Sequence, residues 1–349
     1  MSAPTVAIRP LDRPDIPALL DVWTRQRERA IPADGRDSPT RPLVESRATV
    51  EQRLHALCDT DQERTHALVA VRAATVVSYL IGREVRLRRD SSYRAYAPDH
   101  FLSVGYDDWG VADPADGDLL AALYTGLATW GLARGAAAQQ IAIATADDCA
   151  DLWLDLGFAR QDRYAFLPLA AARPAPPGVV VRRAGPGDLE RATAHLLAES
   201  KHHHAAPIFA FAPPGLAEAK HREMRSSLGD PEAFVGVAEL AGRAVGGISA
   251  SFVPRLPGWM PSVTPTPCAY IDSAFVAPAA RGQGVLRALV AALGAWAAPR
   301  NARGLFVTYL PANRDATRAW GRLGCQPLLT IHQRRLDPRA VRQLRDIEG

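Results

Sequence analysis

The sequence predicts an α/β chain made of two tandem copies of one unit, each a mixed central sheet flanked by helices. Three observations carry this reading. Acidic, tryptophan and glycine positions recur at nearly constant offsets along the 349 residues. Short β-branched runs alternate with Leu/Ala-rich runs of helical spacing. An Ala/Pro stretch, residues 170–178, resists both helix and sheet and reads as a semi-rigid spacer between the copies.

The repeat sets the boundaries. Val6-Ala7-Ile8-Arg9 ahead of Asp15 parallels Val179-Val180-Val181-Arg182 ahead of Asp188, 173 positions on. Trp153-x-x-Leu156-Gly157 parallels Trp320-x-x-Leu323-Gly324, and Gly117 parallels Gly284, both 167 positions on. Two domains are therefore expected, at residues 1–169 and 179–349.

Each copy is expected to begin with a short strand, Val6–Arg9 or Val179–Arg182. A helix then starts near Asp15 or Asp188, where an acid suits the first turn. After an irregular segment come two hairpins, His66–Val71 with Thr75–Gly82 and Ala233–Leu240 with Ala244–Val253. Ala241-Gly242-Arg243 forms the second hairpin's turn. Each copy then runs strand, helix, strand, helix, strand. The helices carry Trp130 and Trp296.

The most specific segment runs from Phe275 to Leu286. Ala269–Val276 is an apolar strand, and Pro278 ends it by removing a backbone donor. Gly282 and Gly284 allow the backbone to approach a ligand closely. A helix follows from Val285. Free N–H groups and a positive dipole end at such a helix start suit a phosphate. Arg281 adds a guanidinium that can fork onto phosphate oxygens. This is neither a P-loop, which needs Gly-Lys-Ser/Thr, nor a dinucleotide fingerprint, because Arg287 replaces the third glycine.

Val276-x-Pro278-x-x-Arg281-Gly282-x-Gly284-x-Leu286 resembles the coenzyme A loop of the GNAT superfamily of N-acetyltransferases. Leu286 departs from the small residue usual at the last position. Downstream, strand Gly304–Leu310 and Asn313-x-x-Ala316-x-x-x-Trp320-x-x-Leu323-Gly324 resemble the family's next strand and helix. The resemblance covers roughly residues 179–336 and implies a GNAT fold. It also implies acetyl-CoA as co-substrate, held by Phe275, Val276, Arg281, Gly282, Gln283, Gly284, Val285, Asn313 and Trp320. In the family a tyrosine at the Trp320 position protonates the departing thiolate. An indole N–H does not titrate and cannot do so.

The copies differ in chemistry. Pro114 is expected at the Arg281 position, Asp116 and Asp118 flank Gly117, and Ala146 stands for Asn313. Two carboxylates repel a pyrophosphate, so the first copy is expected to be degenerate and to serve as scaffold and acceptor-site wall.

The implied chemistry is transfer of an acyl group to an amine. It needs a donor for the thioester carbonyl, a neutral amine and a proton acceptor. Phe275 and Val276 are the expected backbone contacts. Asp272, the one carboxylate on its strand, is a candidate base or an Asp that bonds a loop amide. Tyr270 shares its face by period two. Lys201-His202-His203-His204 reads as an acceptor-side loop, with His204 a candidate proton carrier. Consecutive histidines splay apart and have no acidic partner at ligand spacing, so no metal is expected. Tyr309 is a candidate acid in place of the tyrosine missing at Trp320.

Composition narrows the classes. No apolar run approaches the length of a membrane span. Met1–Thr5 lacks the features of a signal peptide. Cys58, Cys149, Cys268 and Cys325 are scattered, as in a cytoplasmic protein with reduced thiols. Net charge is +4 at neutral pH, without the basic and aromatic interleaving of a nucleic-acid binder. Arg83–Arg89 reads as a strand with a solvated face. The expected partner is a small-molecule amine, with no nucleic acid and no membrane. The first domain is expected to pack on the second, and a homodimer is left open. Two classes follow: an acyl-CoA-dependent N-acyltransferase, with acetyl the expected acyl group, or a non-catalytic acyl-CoA-binding regulator.

Overall fold

The computed structural model describes residues 6–30, 42–59, 63–136, 138–172, 174–337 and 339. Met1–Thr5, residues 31–41 and Arg173 of the spacer lie outside them. The first half holds strands β1 (Val6–Pro10), β2 (Thr65–Arg72), β3 (Thr75–Arg86), β4 (His100–Val104), β5 (Trp109–Val111), β6 (Ala138–Ala144) and β7 (Ala159–Pro168). Its helices are α1 (Ile16–Arg29), α2 (Leu43–Asp59), α3 (Gly117–Ala133) and α4 (Ala150–Asp155). The second half holds β8 (Val179–Arg183), β9 (Ala233–Leu240), β10 (Arg243–Val253), β11 (Cys268–Val276), β12 (Gly304–Tyr309) and β13 (Gln326–Arg335). Its helices are α5 (Leu189–His204), α6 (Leu216–Gly229), α7 (Val285–Ala297) and α8 (Arg314–Leu323). No described helix is long and apolar enough to cross a membrane.

Both hairpins close through two residues with positive φ, Ala73 and Ala74 in the first and Ala241 and Gly242 in the second. This turn geometry matches the twist of the flanking strands. Arg243 is therefore the first residue of β10, paired with Leu240, and not part of the turn.

The described strands form one sheet, and its order interleaves the two halves. It runs β1-β2-β3-β4-β6-β13-β7-β12-β11-β10-β9-β8, with β5 beside β3. The last strand of each half thus lies against the other half. β7 runs antiparallel to β12, from Gly304 opposite Pro168 to Tyr309 opposite Arg163. β13 runs antiparallel to β6, from Leu329 opposite Ala144 to Arg335 opposite Ala138.

Two cores flank this seam. Leu289, Leu293 and Leu305 are fully buried in the second half. Trp109 and Trp153 are fully buried in the first. Burying one leucine stabilises by about 1.5–3 kcal/mol.

Two irregularities open the site. Ser249 pairs with Ser273 and Ala250 with Ile271, so Asp272 is the extra residue of a β-bulge in β11. Bulges bend a strand and re-aim side chains. β11 and β12 pair in parallel only from Ala269–Leu305 to Ile271–Val307. Beyond that point β11 runs on to Val276 and β12 to Tyr309 without a ladder between them, and the sheet splits.

Candidate active site

A cleft of about 830 Å³ fills the split, and its two ends have opposite chemistry. At one end stands the glycine turn. A single 3₁₀ turn, Pro278–Ala280, follows β11, and α7 starts at Val285. Gly282 and Gly284 both have φ of +79°. A Cβ on Gly284 would lie 2.7 Å from Pro176 Cγ, so the spacer and the backbone angle both demand glycine there. Among the described residues, the N–H groups of Gly282, Gln283 and Gly284 meet no backbone acceptor. Arg281 Nη1 donates to Asp315 Oδ2 at 2.8 Å. Arg287, Arg318 and Arg322 line the same end.

The first half has no such turn. Its 3₁₀ turn, Pro114–Asp116, leads directly into α3 at Gly117. Pro114 therefore corresponds to Pro278, not to Arg281. The four residues Arg281–Gly284 have no counterpart, so the loop is deleted rather than substituted. Asp116 is held by Arg72 in a two-pronged ion pair at 2.7 and 2.9 Å.

At the other end of the cleft lie carboxylates. Glu199, on α5, accepts a hydrogen bond from Ser273 Oγ and one from the Ala274 N–H. Burial outweighs these donors and pushes its carboxyl up to about 7. Asp272 accepts from Ser251 Oγ at 2.8 Å. Burial also raises it to about 7. Asp272 is exposed to water yet walled by protein, because its open side faces the cleft.

Between the ends, one chain of hydrogen bonds crosses from the second half to the first. Asn313 caps α8, its Oδ1 accepting from the Ala316 N–H at 3.1 Å. The cap fixes the amide, so Nδ2 faces His203 Nε2 at 3.3 Å. A donor there makes Nε2 the acceptor and leaves the ring proton on Nδ1. Nδ1 lies 3.0 Å from Tyr96 Oη, a residue of the first half. Burial lowers His203 to about 4, which keeps this ring neutral.

All of the expected site residues line the cleft except Phe275 and His204. Phe275 stacks on His195 at 5.4 Å on the other side of the strand. His204 turns away, its Nδ1 2.9 Å from the Ala210 carbonyl. The three histidines form the last turn of α5 rather than a loop, and His202 and His203 are the ones that face the cleft. Tyr309 and Trp320 both line it. Burial raises the Tyr309 hydroxyl, and Arg163 beside it opposes the shift.

Sequence reasoning missed Glu199 and Tyr96, and from the histidine run it singled out His204, whereas His203 is the one bonded to Tyr96 and Asn313. A signal existed for Glu199. It lies three residues past Leu196 and seven past Ala192, both buried, so it is a carboxylate on an apolar helix stripe.

Residues 200–325 match the model of the Acetyltransferase (GNAT) family. This part of the second half is thus similar to the GNAT acetyltransferases. A GCN5-related N-acetyltransferase from Sphaerobacter thermophilus shares the fold over both halves, with a TM-score of 0.56 and 20% identity, covering 97% of this chain and 98% of that one. A GCN5-related glucosamine N-acetyltransferase region of a fungal multi-domain β-N-acetylglucosaminidase aligns at TM-score 0.52 and 12% identity, covering 96% of this chain and 38% of that one. A tandem GNAT protein from the clavulanic acid biosynthesis pathway aligns at TM-score 0.48 and 13% identity, covering 96% and 99%. No curated protein sequence matches the chain.

Proposed function

We propose that the protein is an acyl-CoA-dependent N-acyltransferase that transfers an acetyl group to a small-molecule amine, with its chemistry in the second half. The observation that carries this reading is one cleft with a turn suited to an anion at one end and a half-buried carboxylate at the other. Acetyl-CoA fits the turn end by the chemistry of the donors. Unpaired N–H groups at Gly282, Gln283 and Gly284 suit the pyrophosphate, and Arg281 and its neighbouring arginines supply positive charge. The thioester, when bound, supplies an already activated acyl group.

The residues of the chain do the rest. The edge of β11 freed beyond Ile271 offers backbone N–H groups where the sheet splits. Glu199 takes the proton of the incoming amine on its carboxylate, with an affinity matched to neutral pH. Asp272 adds a second carboxylate to the same cleft. Tyr309, on the opposite wall, is the hydroxyl able to donate a proton where Trp320 cannot. Asn313, His203 and Tyr96 hold the wall between the ends. The first half, without a turn for coenzyme A, acts as scaffold.

The test is thiol release from acetyl-CoA over a panel of amines, with Arg281→Ala and Glu199→Gln alongside the natural protein. Turnover that falls in both variants supports the reading. Tight coenzyme A binding with no turnover on any amine would instead make the protein an acyl-CoA-binding regulator.

A further inference from the structure

The sheet splits in the first half as it does in the second. β4 and β6 pair in parallel from Leu102–Gln139 to Val104–Ile141. β5 then pairs with β3, while β6 runs on to Ala144. In the second half the same divergence makes the cleft. In the first half a strap from the second half fills it. The strap, residues 257–264, lies between β10 and β11. Residues 260–265 are all buried, although they belong to irregular chain. Val263 packs with Tyr106, Ala142 and Ala144, where β6 has left its ladder with β4.

Asp107 is the centre of the grip. Its Oδ2 accepts from the Ser262 N–H at 3.0 Å and from Arg53 Nη1 at 3.1 Å. Its Oδ1 accepts from Ser262 Oγ at 2.6 Å and from Trp23 Nε1 at 3.1 Å. Ser46 Oγ donates to the Ser262 carbonyl at 3.1 Å, and Arg53 Nη2 to the Met260 carbonyl at 3.2 Å. The strap is therefore held through its main chain and one hydroxyl, by side chains of α1, α2 and the β4–β5 segment. A buried carboxylate loses much when one of its donors is withdrawn, so the grip is specific to this register.

The strap also touches the wall of the cleft. Met260 is buried with Phe306 of β12, Cys268 of β11 and Phe166 of β7. Trp259 packs edge-on against Tyr270 at 5.4 Å. Tyr270 Oη lies 3.2 Å from Thr308 Oγ1, and Thr308 lines the cleft. Thr308 and Asp272 are the first residues of β12 and β11 beyond their last pair, Ile271–Val307. The strap thus supports the point where the two strands part. The glycine turn follows the far end of β11.

We propose that Asp107 of the first half is a positioning residue for the second half's acceptor: through the strap it fixes the Tyr270–Thr308 contact at the base of the cleft. The first half's own split serves as a permanent clamp for this segment. This rests on the N-acyltransferase reading and gives the first half a part in binding the amine.

The experiment compares Ser262→Ala and Asp107→Asn with the natural protein in thiol release from acetyl-CoA over the amine panel. Both are expected to raise KM for the best amine about tenfold, with little change in kcat or in coenzyme A affinity. The double variant should do no more than Asp107→Asn alone, because both substitutions break the same contact. A fall in melting temperature with KM unchanged makes the strap mere packing and overturns the proposal. Should Asp107→Asn fail to fold, Ser262→Ala keeps the first-half carboxylate and carries the test. Acrylamide quenching of Trp259, read as the difference between each protein and its Trp259→Phe counterpart, runs in parallel and is expected to rise in both variants. If the natural protein acylates no amine, the transferase reading falls and the quenching decides the clamp alone. A rise sustains Asp107 as the residue that sets Trp259 on Tyr270, and unaltered quenching removes it.

Discussion

Glu199 and Gln26 hold the same place in the two halves, each eleven residues beyond the aspartate that precedes its helix. Gln26 Oε1 accepts from the Val111 N–H at 2.8 Å, and its Nε2 donates to Asp147 at 3.0 Å. Glu199 accepts from the Ala274 N–H on the corresponding strand. The halves thus differ at this point by an amide in place of a carboxyl. One of them can hold a proton and the other cannot.

Glu199→Gln imports the first half's side chain into the second. Its shape and its acceptor for the Ala274 N–H are kept, while the proton acceptor is lost. We expect kcat to fall by about 10²–10⁴ with little change in coenzyme A affinity. The rate of the natural protein should climb with pH around 7, following the raised carboxyl. A pH–rate profile of Glu199→Gln that still climbs there would remove Glu199 as the base.

Stability should depend on pH in a definite direction. Glu199 and Asp272 hold their protons more tightly folded than unfolded, each with a carboxyl raised to about 7. The folded state therefore carries extra protons between the ordinary carboxylate range, near ~4, and 7. Their contribution is full below that range and is lost as pH rises through 7. Glu199→Gln should melt above the natural protein at pH 8, and the gap should close by pH 4.5. A gap that widens on acidification contradicts this.

Arg281 currently pairs with Asp315, and both side chains are exposed. That exposed pair contributes little to stability. Arg281→Ala should leave the melting temperature nearly unchanged and weaken coenzyme A binding by about 10–100-fold, as for loss of a charge-assisted contact. Gly284→Ala should weaken it as well, through the clash with Pro176. Calorimetry with coenzyme A measures both.

Asn313 has two jobs that can be separated. Asn313→Ala removes the α8 cap and should cost about 1 kcal/mol in urea unfolding. Asn313→Asp keeps an acceptor for the Ala316 N–H and should recover that loss. It removes the donor to His203, so the ring should titrate higher than its present value of about 4, which an NMR titration would read.

The parts legible in the sequence are local. Pro278, Arg281, Gly282 and Gly284 announce their turn because each encodes a backbone angle or a charge at its own position. Asn313 announces a cap for the same reason. The bulge at Asp272 was not legible, since it is a property of two strands' register. Neither was the exchange of β7 and β13, because either strand suits either neighbour by pattern and only the three-dimensional path decides. Pro114 was matched to Arg281 by counting a constant offset, whereas a four-residue deletion breaks that count. Glu199 escaped because an acid on a helix normally reads as a solvated face. Its surroundings come from an element far away in sequence, β11 against α5.

The interleaved strands give the first half a reason to persist. It lacks the four-residue turn that Arg281–Gly284 form in the second half. Yet a gene shortened to the second half would strip β12 of one neighbour and leave β13 with neither. It would also discard Tyr96, the partner of His203. The end strand of the second half is held on both edges by the first, so the two halves stand or fall as one sheet.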